Sequence, residues 1–171
     1  MPTTKIRRFK FLWEGLKSNF NGYQWKIGEW QKTECVELCH GFNCSRRIID
    51  ALGYVKGDIL AEVEVRGKHF NGDDKSTHAE MKIVRAWKWQ KKDSVALSIF
   101  SAELVLKNFE SKFPTDDRPR KAIKAAKNYL AKQTAENQSA ARSAAESAAE
   151  SAENTIETWL LQHLESMEEI K

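Results

Sequence analysis

Three cysteines within ten residues are the first side chains of this sequence whose types suggest chemistry. Cys35, Cys39 and Cys44 have His40 beside the middle thiol. Thiolates and imidazoles bind zinc, but structural zinc sites usually combine two close ligand pairs. The spacing of Cys35 and Cys39 fits one such pair, but only His69 or His78 could complete the site and neither belongs to a pair, so we predict no metal site and keep the three thiols as candidate ligands. The alternative is that they are small buried side chains, as free cysteines often are.

A complete catalytic set of residues is missing from the sequence. Cys39 and His40 are adjacent, and neighbours on a strand point to opposite faces, which argues against a nucleophile–base pair. Glu62 and Glu64 would share one strand face, where charged side chains usually meet solvent. No glycine-rich phosphate-binding loop occurs. We therefore favour a protein without catalysis of its own and without a cofactor.

Aromatic and basic residues are interleaved in the first half of the chain, where five of the six tryptophans lie: Trp13, Trp25, Trp30, Trp87 and Trp89. Such a pattern can stack nucleobases, which makes nucleic-acid binding one alternative function. However, Trp87 and Trp89 alternate with polar residues on the same face as Ile83, which favours a core or a concave pocket. We place a ligand pocket at Trp13, Phe42, Tyr54 and Trp87.

The charge differs in sign between the two halves. Residues 1–92 contain 18 Lys/Arg and 11 Asp/Glu, and residues 93–171 contain 10 and 13. Such asymmetry is typical of two modules and allows one of them to meet an acidic partner. The clearest basic surface is a predicted helix, on which we place the partner-binding residues Arg118, Arg120, Lys121, Lys124 and Lys127.

The elements that would position these residues fall into two groups. Alternating apolar residues and turn signals predict strands over 8–14, 23–27, 35–39, 58–65 and 78–89, with one helix over 45–52 capped by Ser45. Apolar residues at helical spacing predict a helix over 95–113 that ends before Pro114. Asp116, Asp117 and Pro119 are typical of the start of a second helix, which continues to about residue 134.

The C-terminal residues continue in helical patterns. An alanine-rich repeat occupies residues 139–153, and alanine has the highest helix propensity. An apolar stripe from Ile156 to Ile170 then predicts a helix that packs in a core or forms a homo-oligomer contact. We predict an α+β fold, with a basic, mixed or antiparallel β-rich domain over 1–92 and three to four helices over 93–171. No long apolar run suggests a membrane segment, and the cysteine pattern favours the cytoplasm.

Several short segments resemble an uncharacterised domain found in phage and bacterial proteins. They are FLWEG at 11–15, WKIG at 25–28, CHGFNC at 39–44 and LAEVEVRG at 60–67. That family has a Cys-x-x-Gly-Phe-His-x-Cys element, in which Asn43 here replaces the histidine and the first spacing is one residue shorter. The resemblance covers about residues 8–90.

The same layout is similar to ADP-ribosyltransferase domains. The resemblance implies that Gly41, Phe42 and Tyr54 line a nicotinamide pocket and that Glu80 is the catalytic acid. It also places Glu14 where the family has Arg or His. A carboxylate cannot hold the NAD diphosphate, so a non-catalytic pocket follows. NAD or another nucleotide would be its ligand.

The helical half resembles a family described as immunity proteins, through a P-x-D-x-R-P-R-x-A-I core at 114–123. We expect Arg118 and Arg120 to pair with Glu103 or Glu110 on the preceding helix. The two resemblances, together with the missing catalytic set and the basic helix, imply a phage or mobile-element accessory protein that binds a bacterial protein, as an inhibitor of a defence system or an immunity factor does. A nucleotide-binding or ADP-ribosyltransferase-like domain is the alternative, and nucleic-acid binding is the second.

Overall fold

The computed structural model describes residues 7–37, 40–54, 57–132 and 153–170. The strands are β1 (Arg8–Leu12), β2 (Gln31–Lys32), β3 (Phe42–Ser45), β4 (Ile59–Asn71) and β5 (Lys75–Lys88). The helices are α1 (Ile48–Leu52), α2 (Lys91–Lys112), α3 (Arg118–Lys132) and α4 (Glu153–Ser166). An antiparallel five-stranded sheet with one short helix precedes the other helices, which confirms the predicted α+β class.

The chain divides into two compact units. The first, here called the sheet unit, comprises Met1–Trp89 and Leu161–Lys171, and the second, the helical unit, comprises Gln90–Leu160. The boundary therefore falls just after β5 and again inside α4. A division into domains at residue 92 stays a prediction, and the alanine-rich segment lies outside the described residues up to residue 152.

Four strands of the sheet unit pair in a closed ring. Strand β1 pairs with β3 and β4, while β5 pairs with β3 and β4, and every pairing is antiparallel. Strand β2 adds a short rung to β5, where Gln31 lies opposite Met81. A ring of this kind leaves few unpaired strand edges and encloses a small interior.

The long hairpin of β4 and β5 confirms two predicted strands and extends both. Its ladder runs from Ile59 opposite Lys88 to Asn71 opposite Ser76, with register shifts at Glu62/Val63 and at Arg66/His69. Gly67 lies in the second shift with φ of 79°, a backbone conformation that glycine adopts without strain. The alternating pattern therefore predicted the strands, whereas the bulges let the hairpin bend around β1 and β3.

Three local predictions are wrong. Residues 23–27 form no strand, because their backbone makes only isolated bridges at Gln24 and Ile27. The described part of the third predicted strand, 35–37, also lies outside the sheet. Ser45 is the last residue of β3 rather than a helix cap, and α1 begins after Arg47, whose guanidinium binds Asp50 at 2.6 Å.

The core of the sheet unit fills the interior of the ring. Apolar side chains from all four ring strands pack there, namely Leu12, Cys44, Ile59, Ala61, Val63, Met81, Ile83 and Ala86. Trp25 joins them from the loop between β1 and β2 and is 1% exposed. Its ring makes edge contacts with Tyr23 and Phe42, at centroid distances of 5.2 and 4.8 Å. The loop is thus a wall of the core.

The end of the chain is tied to the sheet unit by Arg85. Its guanidinium donates to Glu165 at 3.0 Å and to Glu169 at 2.7 Å. The amide of Ile170 donates to the carbonyl of Ala86 at 2.7 Å. These bonds explain why residues after Leu160 group with the strands.

The helical unit confirms the helices predicted on either side of Pro114. The carboxylate of Asp93 accepts a hydrogen bond from the Gln90 amide at 2.7 Å, which satisfies a free donor at the start of α2. Helices α2 and α3 pack through Val95, Ile99, Ala102, Ile123 and Ala126. Phe100 stacks on Trp159 of the predicted apolar stripe, at a centroid distance of 5.1 Å. Within the described ranges, every helix is too short or too polar to span a bilayer.

Ile83 provides a test of the closed ring. Ile83 is fully buried, so Ile83→Ala is expected to lower the free energy of unfolding by about 2–5 kcal/mol through lost contacts and a cavity. Urea denaturation measures this loss. Val84→Ala, at the partly exposed neighbouring residue, is the matched control and should cost clearly less. Equal losses would contradict the burial of the Ile83 face.

Candidate interaction site

The loop over residues 13–25, here called the aromatic loop, is held by backbone hydrogen bonds. Trp13 and Lys17 exchange two bonds of 2.8 and 3.2 Å between their amides and carbonyls. Farther along, the Ser18 amide donates to the Tyr23 carbonyl at 2.9 Å, and the Trp25 amide donates to the Leu16 carbonyl at 3.0 Å. The loop therefore folds back on itself twice without forming a regular strand.

Side chains fix the same loop to the core. The indole nitrogen of the buried Trp25 donates to the Ser18 hydroxyl at 2.7 Å. The side-chain amide of Gln24 donates to the Gly15 carbonyl at 2.6 Å. Gly15 and Leu16 both have positive φ, of 73° and 59°, which turns the chain sharply after β1. A non-glycine residue in this conformation is uncommon, and Leu16 is held there by packing on the core.

Two aromatic side chains of this well-anchored loop face solvent. Trp13 is 50% exposed, and Phe20, between Asn19 and Asn21 at the tip, is 93% exposed. The tip is closed by bonds from the Gly22 amide to the Ser18 carbonyl at 3.0 Å and from the Tyr23 amide to the Asn21 side chain at 3.1 Å. Sequence reasoning missed Phe20. The available signal was a large aromatic residue directly before the Asn21–Gly22 turn.

The predicted ligand-pocket residues occupy four different surroundings. Trp87 is fully buried, and Phe42 packs against Trp25 and Tyr23. The Tyr54 hydroxyl donates to Asp74 at 2.5 Å, and Lys75 lies over its ring. Trp13 lines an open depression that includes none of the other three.

The depression beside Trp13 has a volume of about 710 Å³ and is lined by Trp13, Glu14, Lys17, Gly57 and Asp58. A side chain at Gly57 would meet the Leu12 carbonyl oxygen at 2.1 Å, so glycine permits the close approach that brings this segment against β1. The Asp58 carbonyl accepts a bond from the Trp89 amide at 2.7 Å. Both walls of the depression are therefore fixed by backbone contacts.

Glu80, the catalytic acid that the transferase resemblance implies, lies in β5 between two cations. It accepts a hydrogen bond from Arg66 at 2.8 Å, and the Lys32 ammonium is 3.7 Å away. The hydrogen bond from Arg66 is the main cause of its lowered pKa. Glu80 is therefore an ionised member of a surface ion-pair cluster. Glu14 lies in the turn after β1 and lines the depression.

The three candidate metal ligands give no metal site within the part of the chain that the structure describes. Cys35 is partly buried and Cys44 buried, and both are free thiols, while Cys39 lies outside the described residues. No group of three His, Cys, Asp or Glu side chains among the described residues is placed to hold an ion.

Cys44 instead joins a polar chain inside the sheet unit. Its sulfur is 3.7 Å from the Ser76 hydroxyl, which is 2.9 Å from Nε2 of His78. Burial raises the pKa of the Cys44 thiol, and desolvation, with help from His69 and Arg8, lowers the pKa of His78 to about 4. A protonated thiol and a neutral imidazole are the reverse of an activated thiolate pair. We therefore interpret Cys44, Ser76 and His78 as a buried network whose polar groups bind one another.

Lys10 of β1 borders the same network. Its ammonium lies over the Trp25 ring, 4.6 Å from the centroid. Desolvation lowers the pKa of Lys10 to about 8. The cation is thus held by an aromatic face instead of a carboxylate.

The basic residues of α3 are mostly paired within the helical unit. Arg120 binds Glu110 at 2.6 Å, as predicted, whereas Arg118 binds Asp116 at 2.5 Å instead of a residue of α2. Lys121 binds Asp117 at 2.8 Å and Lys127 binds Glu103 at 2.6 Å. Lys124 is exposed on the same helix. Four of the five predicted partner-binding cations therefore carry an internal counter-charge.

A family model for a domain of unknown function (DUF7666) matches residues 6–93. No curated protein and no solved structure matches the chain. An uncharacterised domain over the first half of the chain, which the sequence predicted, is thereby confirmed.

His78 gives the buried network a pH dependence. Its pKa is about 4 in the fold and 6.5 as a free side chain, so the unfolded chain binds the proton first as the pH falls. The contribution of His78 to stability should therefore be constant above pH 6.5 and fall as the pH drops toward 4. Urea midpoints across this range measure the slope. His78→Gln should reduce it, and His40→Gln, at an exposed site, should leave it unchanged.

Proposed function

The chain belongs to the DUF7666 family, whose description assigns no activity, and we propose that it is a non-catalytic protein-binding module that docks through the aromatic loop. The observation that carries this proposal is the pairing of rigidity with exposure. A loop fixed by backbone and side-chain bonds presents Trp13 and Phe20 to solvent. Aromatic anchors of this kind dominate the binding energy of many protein interfaces.

The rigidity of the loop supports binding rather than a purely structural role. At 93% exposure, the Phe20 side chain contributes almost no hydrophobic stabilisation to the fold, because that stabilisation comes from buried apolar surface. A partner that covers it would bury most of its ring. Because the backbone around Phe20 is already ordered, binding costs less conformational entropy than at a disordered loop.

The charges of the described residues favour this loop over α3 as the docking surface. Contacts to α3 would compete with the carboxylates that already bind four of its cations. The interior thiol and imidazole have pKa values opposite to those of an activated pair, which favours binding over catalysis. The Glu80 carboxylate is paired with Arg66 and Lys32, and this pairing weakens the transferase alternative.

The class of partner rests on the resemblances described above. We propose a bacterial protein, met in the cytoplasm, that the chain inhibits or neutralises in the manner of a phage anti-defence factor or an immunity protein. A partner in this class is bound by surface complementarity and needs neither a metal nor a cofactor. The C-terminal apolar stripe as a homo-oligomer contact stays a prediction.

The aromatic loop can be tested by affinity capture. The tagged full chain is incubated with bacterial lysate, and the bound proteins are quantified by mass spectrometry. Phe20→Ala, and Trp13→Ala likewise, should reduce capture of the specific partner roughly tenfold or more, the range of interface anchors. Phe70→Ala is the matched control, because Phe70 is 50% exposed outside the loop. Lys124→Glu controls for α3.

Two outcomes would contradict the proposal. Capture that survives Phe20→Ala and Trp13→Ala but is lost with Lys124→Glu would move the docking surface to α3. Consumption of NAD by the wild-type chain that Glu80→Gln abolishes would favour the transferase alternative. Unfolding midpoints of each variant, measured first, separate lost binding from lost folding.

A further inference from the structure

A second feature of the aromatic loop identifies the chemistry of what binds beside it. Resting on the proposed function, we infer that the depression lined by Trp13, Glu14 and Asp58 receives a basic side chain, arginine or lysine, of the partner protein. Trp13 offers a half-exposed indole face, and the two acids offer carboxylates around the same concave surface. An aromatic face combined with carboxylates is the set of groups that binds a guanidinium or ammonium.

The two carboxylates are available for such a ligand. Three acids of the strands β4 and β5 have a cation as partner: Glu62 binds Arg7, Glu64 binds Lys82 and Glu80 binds Arg66. Glu14 and Asp58, by contrast, make no ion pair and no side-chain hydrogen bond within the described part of the chain. Unpaired acids grouped beside an exposed indole form a ready counter-charge for an incoming cation.

Lys17 sets the charge of the depression. It is exposed on the rim, and its ammonium forms no ion pair with either acid. Among the described residues that line the depression, two carboxylates and one ammonium give a net charge of about −1, whereas the whole chain has a net charge of +4. The acidic spot is therefore local, and general attraction between the protein and a cation does not account for binding there.

Backbone contacts hold two sides of the depression. Gly57 has no side chain, and one built there would collide with the Leu12 carbonyl, so glycine lets this segment lie directly against Leu12 and Trp13 at one side of the depression. The bond from the Trp89 amide holds the Asp58 backbone at one wall, while the bonds between Trp13 and Lys17 hold the other. Phe20 extends from the same loop, so a partner could fill the depression with a basic residue and cover Phe20 with an apolar one.

The test uses a defined probe and the intact chain. N-acetyl-arginine N-methylamide is titrated into the protein, and the indole N–H resonance of Trp13, assigned with Trp13→Phe, is followed by NMR. N-acetyl-citrulline N-methylamide, of nearly the same shape but neutral, is the matched ligand. We expect the arginine derivative to shift the Trp13 resonance at millimolar concentrations and the citrulline derivative to leave it in place.

Charge variants give the sign of the effect. The double variant Glu14→Gln/Asp58→Asn should weaken the arginine derivative roughly fivefold or more, and Lys17→Gln should strengthen it, since each changes one side of the local charge balance. Equal shifts from both derivatives, or an unchanged affinity in the double variant, would overturn the inference. Glu14 and Lys17 are exposed and Asp58 is partly buried, so unfolding midpoints are measured to confirm that the variants fold.

Phe20→Ala separates the two proposals. It should leave binding of the arginine derivative unchanged, because Phe20 does not line the depression, while it reduces partner capture roughly tenfold or more. Loss of capture without any arginine binding by the wild-type chain would reject the depression alone. If the wild-type chain binds the arginine derivative but Phe20→Ala leaves partner capture unchanged, the aromatic loop is rejected as the docking surface.

Discussion

Closure of the strand ring is the constraint on which the rest of the sheet unit depends. Because β4 pairs with both β1 and β5, its residues cannot face solvent on the enclosed side, and the interior has to be filled by side chains of fitting size. Strands supply most of them. Trp25 comes from outside the sheet, and its burial forces the chain between β1 and β2 to fold against the ring. The rigidity of the aromatic loop is therefore a consequence of how the core is completed.

The same closure decides the chemistry of the polar residues inside. Cys44, Ser76 and His78 lie on strands that meet in the ring, so each must find its hydrogen bond within the protein. Low solvent access favours the neutral form of both the thiol and the imidazole, and this moves the two pKa values away from the pattern of a nucleophile and its base. A cysteine and a histidine linked through a serine are thus both favoured in their neutral forms.

Local pattern predicted the parts of the fold whose residues contact near neighbours in the sequence. The alternation in residues 58–65 and 78–89 identified both arms of the hairpin. Pro114 located the end of α2, and Pro119 located the start of α3. The strand predicted over residues 23–27 was wrong for a related reason. Tyr23, Trp25 and Ile27 alternate as in a strand, but they reach the core from a loop. The exposure of Phe20 could not be predicted from the sequence pattern, because it depends on how the loop packs against the core. The pairing of Arg120 with Glu110 was predictable from the helical hairpin. Arg118, in contrast, binds Asp116, two residues earlier in the chain, instead of a residue of α2.

Charge pairing gives the final argument about where a partner meets this chain. A basic helix looks like a docking surface when its cations are counted along the sequence, but four counter-charges inside the helical unit remove most of that attraction. The basic sheet unit contains the opposite case, a small acidic spot next to an exposed indole, whose carboxylates form no ion pair with any residue that the structure describes. Unpaired charges beside exposed aromatic rings, by contrast, are groups that a partner can contact without displacing an internal counter-ion. Phe20 and the depression beside Trp13 meet that condition together on a single rigid loop.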